Sequence, residues 1–199
     1  MKASLVAAAC LTTTLAHAQV KVGLGPLVGV NLATVHNQEA SEYGYRFGAL
    51  VGAQAEFSWG RFSVQPALAF SQLGDTHTYT LRAIDVNDPA LLNRTVTYRE
   101  RFNYLVVPVP VAFSLNGTKT GPQVSAGPYV GIQLSSAATA PQLDAGLQAG
   151  LGFRVKDVLL RANYLLGLRP GETFYTTGDY FANYNRSFQA SASYLFSIK

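Results

Sequence analysis

The sequence has few charged residues and a single cysteine. Charged side chains make up 13% of the 199 residues, about half of the share usual in soluble domains. Hydrophobic residues make up 48%, which excludes intrinsic disorder, because disordered chains combine low hydrophobicity with high charge. The net charge of +4 comes without a lysine-rich patch, so nucleic acid is not expected as a partner. The composition also disfavours a conventional soluble enzyme, whose surface needs more charge.

The N-terminus has the features of a secretory signal peptide. Lys2 precedes an uncharged, largely apolar segment, and the small-x-small triplet Ala16, His17, Ala18 ends it. This pattern predicts that residues 1–18 are removed on export. A core helix or membrane anchor is the weaker alternative, because the run is short and contains three threonines.

The predicted mature chain, residues 19–199, forms one domain without cysteine, because Cys10 lies in the leader. An exported chain of this kind has no disulfide framework, and thiol chemistry is excluded. No later stretch contains 18 or more apolar residues without interruption, so no transmembrane helix is expected.

A period of two marks the first clear strand, in residues 42–59. Every odd position from Tyr43 to Trp59 is apolar or aromatic, whereas the even positions hold only one aliphatic residue, Leu50. Successive side chains of a strand point to opposite faces, whereas helical spacing would mix the two sets. The segment is therefore predicted to be a strand with one apolar face.

Similar alternation recurs along the chain and predicts about eight strands. Each segment is near the length that a tilted membrane strand requires. The predicted strands are residues 20–34, 42–59, 61–73, 99–115, 121–135, 143–155, 158–168 and 187–198.

The polar face of these strands decides between two kinds of barrel. It consists mainly of Gly, Ser, Gln and Asn with sparse charges, which suits a crowded interior better than an outer surface in water. The apolar face carries aromatic residues near strand ends, as interfacial girdles do. We therefore expect an all-β fold, a single transmembrane antiparallel up-and-down β-barrel, with a soluble lipocalin-like barrel as the alternative.

The connections between the predicted strands alternate in length. Tight turns are expected at Trp59 and Gly60, at residues 116–120, and at Val155 and Lys156, whereas residues 35–42, 74–98, 136–142 and 169–185 form the other connections. Outer-membrane barrels have this asymmetry, with tight turns on the periplasmic side. Closure of the barrel leaves no unpaired strand edge in lipid.

Four segments resemble the PorT-like, porin-family outer-membrane β-barrel domain. They are residues 101–109 (RFNYLVVPV), 127–131 (GPYVG), 161–167 (RANYLLG) and 185–196 (NRSFQASASYLF). The resemblance covers nearly all of residues 19–199 and implies a barrel of about eight strands in a Gram-negative outer membrane. It implies little about activity. Pro108 and Pro110 depart from a regular strand, so a local bulge or gap is expected there.

Enzymatic chemistry has little support in this sequence. The mature chain keeps only His36 and His77, both in predicted external loops, with Asp75 beside the second. A hydrolase needs a nucleophile with an adjacent base, and two dispersed ligands make no metal site. No enzyme activity, metal or cofactor is expected.

Charged and amide side chains on the inward parity form the one candidate constellation. If Val155 and Lys156 form a two-residue turn, Arg154 faces Asp157 and Gln148 faces Asn163. The turn at Trp59 and Gly60 sets Gln54 opposite Gln65 and Glu56 near Arg61. Both signs of charge favour a pairing network that fills the lumen over an ion filter of one sign. The predicted network is Arg46, Glu56, Arg61, Asp144, Gln148, Arg154, Asp157, Arg161 and Asn163.

The last long connection, residues 169–185, is rich in aromatic residues. It holds Phe174, Tyr175, Tyr180, Phe181 and Tyr184. One interpretation is that the last two barrel strands extend above the membrane and that these rings form the outer girdle or pack on each other. The other is an exposed platform for an extracellular ligand or partner protein, because aromatic rings supply contact area at little entropic cost.

The leading functional prediction is a small barrel with a side-chain-filled lumen, embedded in outer-membrane lipid and acting as a structural or surface-interaction protein. A narrow porin-like channel for small solutes is the alternative.

Overall fold

The structure is a computed structural model that describes residues 20–36, 43–81, 94–117, 120–134, 142–169, 173–176, 179–182 and 184–198. The predicted signal peptide, residues 1–18, lies outside the described residues. Within these ranges no helix is long and apolar enough to cross a membrane.

The described elements are β-strands. In chain order they are β1 (Lys21–His36), β2 (Tyr43–Gly44), β3 (Arg46–Trp59), β4 (Phe62–Val64), β5 (Ala67–Leu81), β6 (Arg94–Pro108), β7 (Val111–Ser114), β8 (Gly121–Gln133), β9 (Leu143–Val155), β10 (Val158–Gly167), β11 (Thr173–Thr176), β12 (Asp179–Ala182), β13 (Tyr184–Tyr194) and β14 (Phe196–Ile198).

Most of these strands form one closed antiparallel ring. The pairs β2 with β3, β4 with β5, β6 with β7 and β13 with β14 are each one barrel strand with a short interruption. Sequence neighbours pair around the ring, and β1 closes it by pairing with both β3 and β13. The prediction of an up-and-down β-barrel of eight strands is confirmed.

The two parities of each barrel strand face opposite sides, as the alternation predicts. In β3, Val51 is 55% exposed and Phe47 is 76% exposed, whereas Gln54 and Glu56 are buried. The outward wall is thus built largely from aliphatic and aromatic side chains, and the inward face carries the amides and charges.

Two amides are exceptions on the outward parity. Gln72 of β5 and Asn103 of β6 hydrogen-bond to each other, with 3.3 Å between Nε2 and Oδ1. Gln72 Oε1 also accepts from the Ala49 backbone N–H at 3.4 Å. These bonds reduce the cost of placing polar groups on an apolar wall.

The tight turns differ from the prediction by one residue. They consist of Gly60 with Arg61 and of Lys156 with Asp157. The first residue of each has a positive φ, 58° at Gly60 and 54° at Lys156, as primed hairpin turns require.

This change moves the strand register by two residues. Arg154 therefore pairs with Leu159 instead of facing Asp157, and Gln148 pairs with Leu165 instead of Asn163. At the other turn Gln54 pairs with Ala67, not Gln65. The predicted pairings are wrong, but a shift of two leaves the residues within the paired strands on their predicted faces.

Two predicted loops contain strands. β5 continues to Leu81 and β6 begins at Arg94, so Asp75 and His77 lie in a strand and not in the loop predicted over residues 74–98. His36 likewise ends β1. Within residues 169–185, β11 and β12 pair as a separate two-stranded sheet.

The proline-rich segment interrupts one barrel strand. β6 ends at Pro108 and β7 begins at Val111, which confirms the expected gap. The Val109 N–H donates to the Pro128 carbonyl at 2.9 Å, and the Pro110 carbonyl accepts from Gln65 N–H at 2.9 Å. These bonds connect the interrupted segment to both neighbouring strands.

Candidate functional site

The interior of the ring contains buried polar side chains at several levels. One end of the barrel has the turns at residues 60–61 and 156–157 and the connection between β7 and β8, and we name it the tight-turn end. The opposite, long-loop end has the connections that follow β1, β5, β8 and β10. The polar interior is the candidate functional site, because the sequence predicts a network of charged and amide side chains on the inward face.

The tight-turn cluster lies nearest the short turns. Glu56 Oε2 accepts from Arg154 Nη1 at 2.7 Å, and Glu56 Oε1 accepts from Gln65 Nε2 at 2.9 Å. Arg161 Nη2 donates to Gln65 Oε1. Ser63 Oγ and Gln123 Oε1 also lie within 2.9 and 3.5 Å of Gln65 Nε2. We define the tight-turn cluster as Glu56, Ser63, Gln65, Gln123, Arg154 and Arg161.

Two bonds of this cluster cross the full width of the barrel. Glu56 is on β3 and Arg154 is on β9, which are four positions apart in the ring of eight. Gln65 lies between β4 and β5, and its partner Arg161 on β10 is also four positions away. Side chains from opposite walls therefore meet inside the ring.

Amides and hydroxyls occupy the middle of the interior. Asn31 Nδ2 donates to Ser71 Oγ at 2.9 Å, and Asn31 Oδ1 accepts from Gln189 Nε2 at 3.0 Å. Asn163 Nδ2 lies 3.5 Å from Gln189 Oε1. Asn31 is fully buried, so these bonds replace hydrogen bonds that it would otherwise make with water.

The long-loop cluster contains two tyrosines and a carboxylate, and comprises Tyr104, Tyr129, Gln133, Asp144 and Asn185. Asp144 Oδ2 accepts from Asn185 Nδ2 at 3.0 Å and from the Tyr129 hydroxyl at 3.4 Å. Asn185 Nδ2 also reaches Tyr104 Oη at 3.4 Å, again across four ring positions. Tyr104 and Tyr129 pack with aliphatic residues such as Leu73 and Leu165. The interior is thus bridged at this end as well.

Glycines on the inner face of β9 make room for neighbouring side chains. A Cβ at Gly146 would lie 2.7 Å from Tyr129 Cε1, and one at Gly152 would lie 2.7 Å from Gln123 Nε2. At Gly150 it would lie 2.0 Å from Asn163 Oδ1. Both polar clusters therefore depend on bare backbone in β9 for space.

Eight buried side-chain atoms have no hydrogen-bond partner in the described part of the chain. Six of them are N–H donors, and the other two are the Asp144 Oδ1 acceptor and the Ser187 hydroxyl, which can donate and accept. The donors are Gln54 Nε2, Gln123 Nε2, Gln148 Nε2, Arg154 Nε, Arg161 Nε and Arg186 Nε.

The predicted network residues are distributed over several places. Glu56, Arg154 and Arg161 lie together in the tight-turn cluster, and Asp144 lies in the long-loop cluster. Asn163 and Gln148 are buried between them. Three predicted members lie elsewhere.

Two of these three belong to the tight turns. Arg61 and Asp157 are exposed, so their predicted places inside the network are wrong. The reason is the turn position, because each is the second residue of a tight turn. Arg46 is half-buried near the start of β3 and has an interaction partner.

The sequence did not single out several residues that matter most in the network. Gln65 contacts four side chains of the tight-turn cluster, yet its segment alternates weakly. Tyr104 and Tyr129 lie on the inward parity but were not distinguished from wall aromatics. Parity alone could have placed Gln123 and Tyr129 inside, because both share the odd face of β8.

The aromatic residues of the last long connection lie in two places. The β11–β12 register places Phe174 opposite Phe181 and Tyr175 opposite Tyr180. Tyr184 begins β13. β11 and β12 form a sheet of their own, and both interpretations of these rings stay predictions.

The described residues offer no arrangement for metal chemistry. Within them, no group of three or more His, Cys, Asp or Glu side chains could hold a metal ion.

Comparisons with known proteins give one family match and several similar structures. A family model described as an outer membrane protein beta-barrel domain matches residues 17–198. Neisserial surface protein A is similar in structure, with 10% identity, a TM-score of 0.47, and coverage of 87% of this chain and 97% of that chain. Ail, the attachment invasion locus protein of Yersinia pestis, is also similar in structure. It has 13% identity and a TM-score of 0.45, and the match covers 87% of this chain and 98% of that chain.

A third similar structure is the N-terminal β-barrel domain of Pseudomonas aeruginosa OprF, with 12% identity, a TM-score of 0.38, and coverage of 85% of this chain and 97% of that chain. No curated protein matches this sequence.

Proposed function

The chain belongs to the outer membrane protein β-barrel domain family, and from that premise we propose that it is a non-enzymatic, membrane-embedded structural or surface-interaction protein whose lumen is filled by side chains. The narrow, solute-conducting channel is the competing function. The PorT-like subfamily and cleavage of residues 1–18 are further parts of this proposal, as is an orientation with the tight-turn end toward the periplasm.

The observation that supports a filled lumen is the pair of bridges between opposite walls. Glu56–Arg154 and Gln65–Arg161 cross at the tight-turn end, and Tyr104–Asn185 crosses at the long-loop end. Barrels of about eight strands are just wide enough for side chains to fill. Two constrictions in series would block ions even if one of them opened.

Conductance in planar bilayers tests this proposal. We expect no steady ion steps from the wild-type protein. Changing Glu56, Gln65 and Arg161 to Ser removes the first constriction with no net change of charge, and changing Tyr104 and Asn185 to Ser removes the second. Neither variant alone should conduct, and the combined variant should, because the constrictions are in series.

Folding of each variant is checked by heat-modifiable gel mobility, and Phe47→Ser on the outward wall is the control for loss of a large side chain. Reproducible ion steps from the wild-type protein would favour the channel. Conductance by one single-end variant would show that the other cluster does not obstruct the lumen.

The β11–β12 hairpin supports a surface-interaction role. Its aromatic positions face each other across the two strands, and aromatic residues are enriched where interfaces concentrate their binding energy. We propose that this hairpin contacts an extracellular ligand or partner protein. A rigid hairpin would present its rings with little loss of conformational entropy.

Changing Tyr175, Tyr180 and Phe181 to Ser tests the hairpin. We expect normal heat-modifiable folding and loss of cell-surface binding, because the hairpin is a separate sheet and not part of the ring. The control changes the ring pair Phe62 and Phe113, whose centroids lie 5.0 Å apart at the tight-turn end, and it should leave binding intact. Loss of barrel stability in the hairpin variant would make its rings structural, and retained binding would exclude recognition.

A further inference from the structure

Positive charge is concentrated at the tight-turn end of the barrel. Among described residues at this end, Lys21, Arg61, Arg154, Lys156 and Arg161 are opposed by only Glu56 and Asp157. The excess extends into the interior, where two arginines share one carboxylate. Buried charges require compensation, because removing an ion from water costs several kcal/mol.

Glu56 does not neutralise both arginines directly. Its Oε2 pairs with Arg154 at 2.7 Å, and its Oε1 accepts from Gln65. Arg161 is 9% exposed, and its acceptor in the cluster is the neutral amide of Gln65. Among the described residues, Arg161 therefore makes no direct ion pair, and it interacts with Glu56 through Gln65 and at longer range.

The unsatisfied groups around this excess charge are all donors. Within the described part of the chain, Arg154 Nε and Arg161 Nε have no partner, and neither do Gln54 Nε2 and Gln123 Nε2. Of these four side chains, Arg154 lines the cavity described next. Gln54 and Gln123 are 1% and 4% exposed. N–H donors and uncompensated positive charge together call for an acceptor that carries negative charge.

The remaining acidic residues of the chain do not supply that charge. Asp144 is engaged in the long-loop cluster. Every other acidic residue except Asp157 belongs by sequence to the segments that join or end the strands at the long-loop end: Glu39, Glu42, Asp75, Asp85, Asp88, Glu100, Glu172 and Asp179. The sequence therefore assigns no further acidic residue to the tight-turn end, where a counter-charge from solution can act.

A small cavity lies beside the Glu56–Arg154 pair. Its volume is about 10 Å³, and its lining includes Lys21, Arg154 and Lys156 together with Glu56 and Asp157. Because this is the volume open to the centre of a water-sized sphere, the cavity is larger than a single water molecule, which suits a monatomic anion better than a polyatomic one. The lining carries three positive and two negative side chains.

We propose that this cavity binds one small inorganic anion of the size of chloride. Arg154, Lys21 and Lys156 would surround the anion, and Arg161, one step deeper, would add to the positive potential. The anion would supply the charge that the cluster lacks, and it would bind whether or not the lumen conducts.

Halide titration of the purified, folded protein in detergent tests the proposal. Bromide or chloride should raise the thermal unfolding midpoint in a saturable way, because a ligand that binds only the folded state stabilises it. Sodium gluconate at the same ionic strength should not, because gluconate is too large for the cavity. Broadening of the chloride-35 NMR line by the protein gives a direct measure of binding.

Two variants should change the half-saturating concentration in opposite directions. Glu56→Gln removes a negative charge and should lower the half-saturating halide concentration by about tenfold. Arg161→Gln removes a positive charge and should raise that concentration by about tenfold. Arg101→Gln removes a positive charge at the long-loop end and should leave it unchanged. If Arg161→Gln does not fold, the tighter halide binding expected of Glu56→Gln still tests the proposal. Equal effects of chloride and gluconate, or a half-saturating concentration unchanged in Glu56→Gln, would overturn the proposal.

Discussion

Val51→Arg is expected to destabilise the folded barrel by about 2–4 kcal/mol, because it places a charge on the lipid-facing wall near the bilayer midplane. Val51 lies near the middle of β3 and is 55% exposed. It pairs with Val28 of β1 and Phe70 of β5, both on the outward parity. The measurement is the free energy of unfolding by denaturant titration in phospholipid vesicles.

Phe47→Arg is the matched control for this prediction. Phe47 shares the strand and the outward face of Val51, and it is 76% exposed. It lies four residues nearer the long-loop end, where an arginine should cost only about 0–1 kcal/mol at the membrane interface. In a soluble barrel both arginines would face water and cost little. Equal costs at the two positions would therefore contradict a membrane-facing wall.

The face of residues within the barrel strands could be predicted because the side chains of a strand alternate between its two faces with a period of two residues. Val51 and Gln54 differ in face whatever the register, since the backbone alternates side chains. The strand count followed from the same pattern, repeated between turns. Closure of the ring followed from the need to pair every edge in lipid.

The register could not be predicted because it depends on the backbone of two-residue turns. The amino-acid sequence does not distinguish a turn at Val155 and Lys156 from one at Lys156 and Asp157. The structure has a positive φ at Lys156, which is uncommon for a residue other than glycine. The pairing of Arg154 changes with that choice. This is why the inward residues were predicted while their partners were not.

Contacts across the lumen were beyond sequence reasoning for a related reason. Parity places Glu56 and Arg154 inside, but their contact depends on which strands stand opposite each other in a closed ring. Gln65 bridges Glu56 and Arg161 from a break between β4 and β5. Parity places Gln65 on the inward face, but only the closed ring shows that Arg161 stands opposite it.

Glycines show the same limit at the scale of single atoms. Gly23 and Gly25 have the same residue type, strand and inward parity, so the sequence predicts the same need for space at both. A Cβ at Gly25 would lie 1.6 Å from the Tyr194 carbonyl oxygen, whereas a Cβ at Gly23 would come no nearer than 3.5 Å, to Leu195 Cβ. Only the first position excludes a side chain.

Gly25→Ala is therefore expected to destabilise the barrel by about 3 kcal/mol, the upper part of the range for overpacking. The obstacle is backbone of the neighbouring strand, which cannot turn aside as the end of a long side chain can. Gly23→Ala should change stability by no more than about 0.5 kcal/mol, because its new methyl group makes an ordinary contact. Unfolding titrations in the same vesicles measure both.

The difference between the two variants carries the argument, since each adds one methyl group to β1. A cost shared by both would mean that alanine is poorly tolerated anywhere on this inner face, and crowding of the lumen would then explain both glycines. A cost confined to Gly25 locates the constraint in the close approach of β1 to the Tyr194 carbonyl. That approach lies beside the interruption between β13 and β14, so the closing pair of the barrel requires bare backbone at this point.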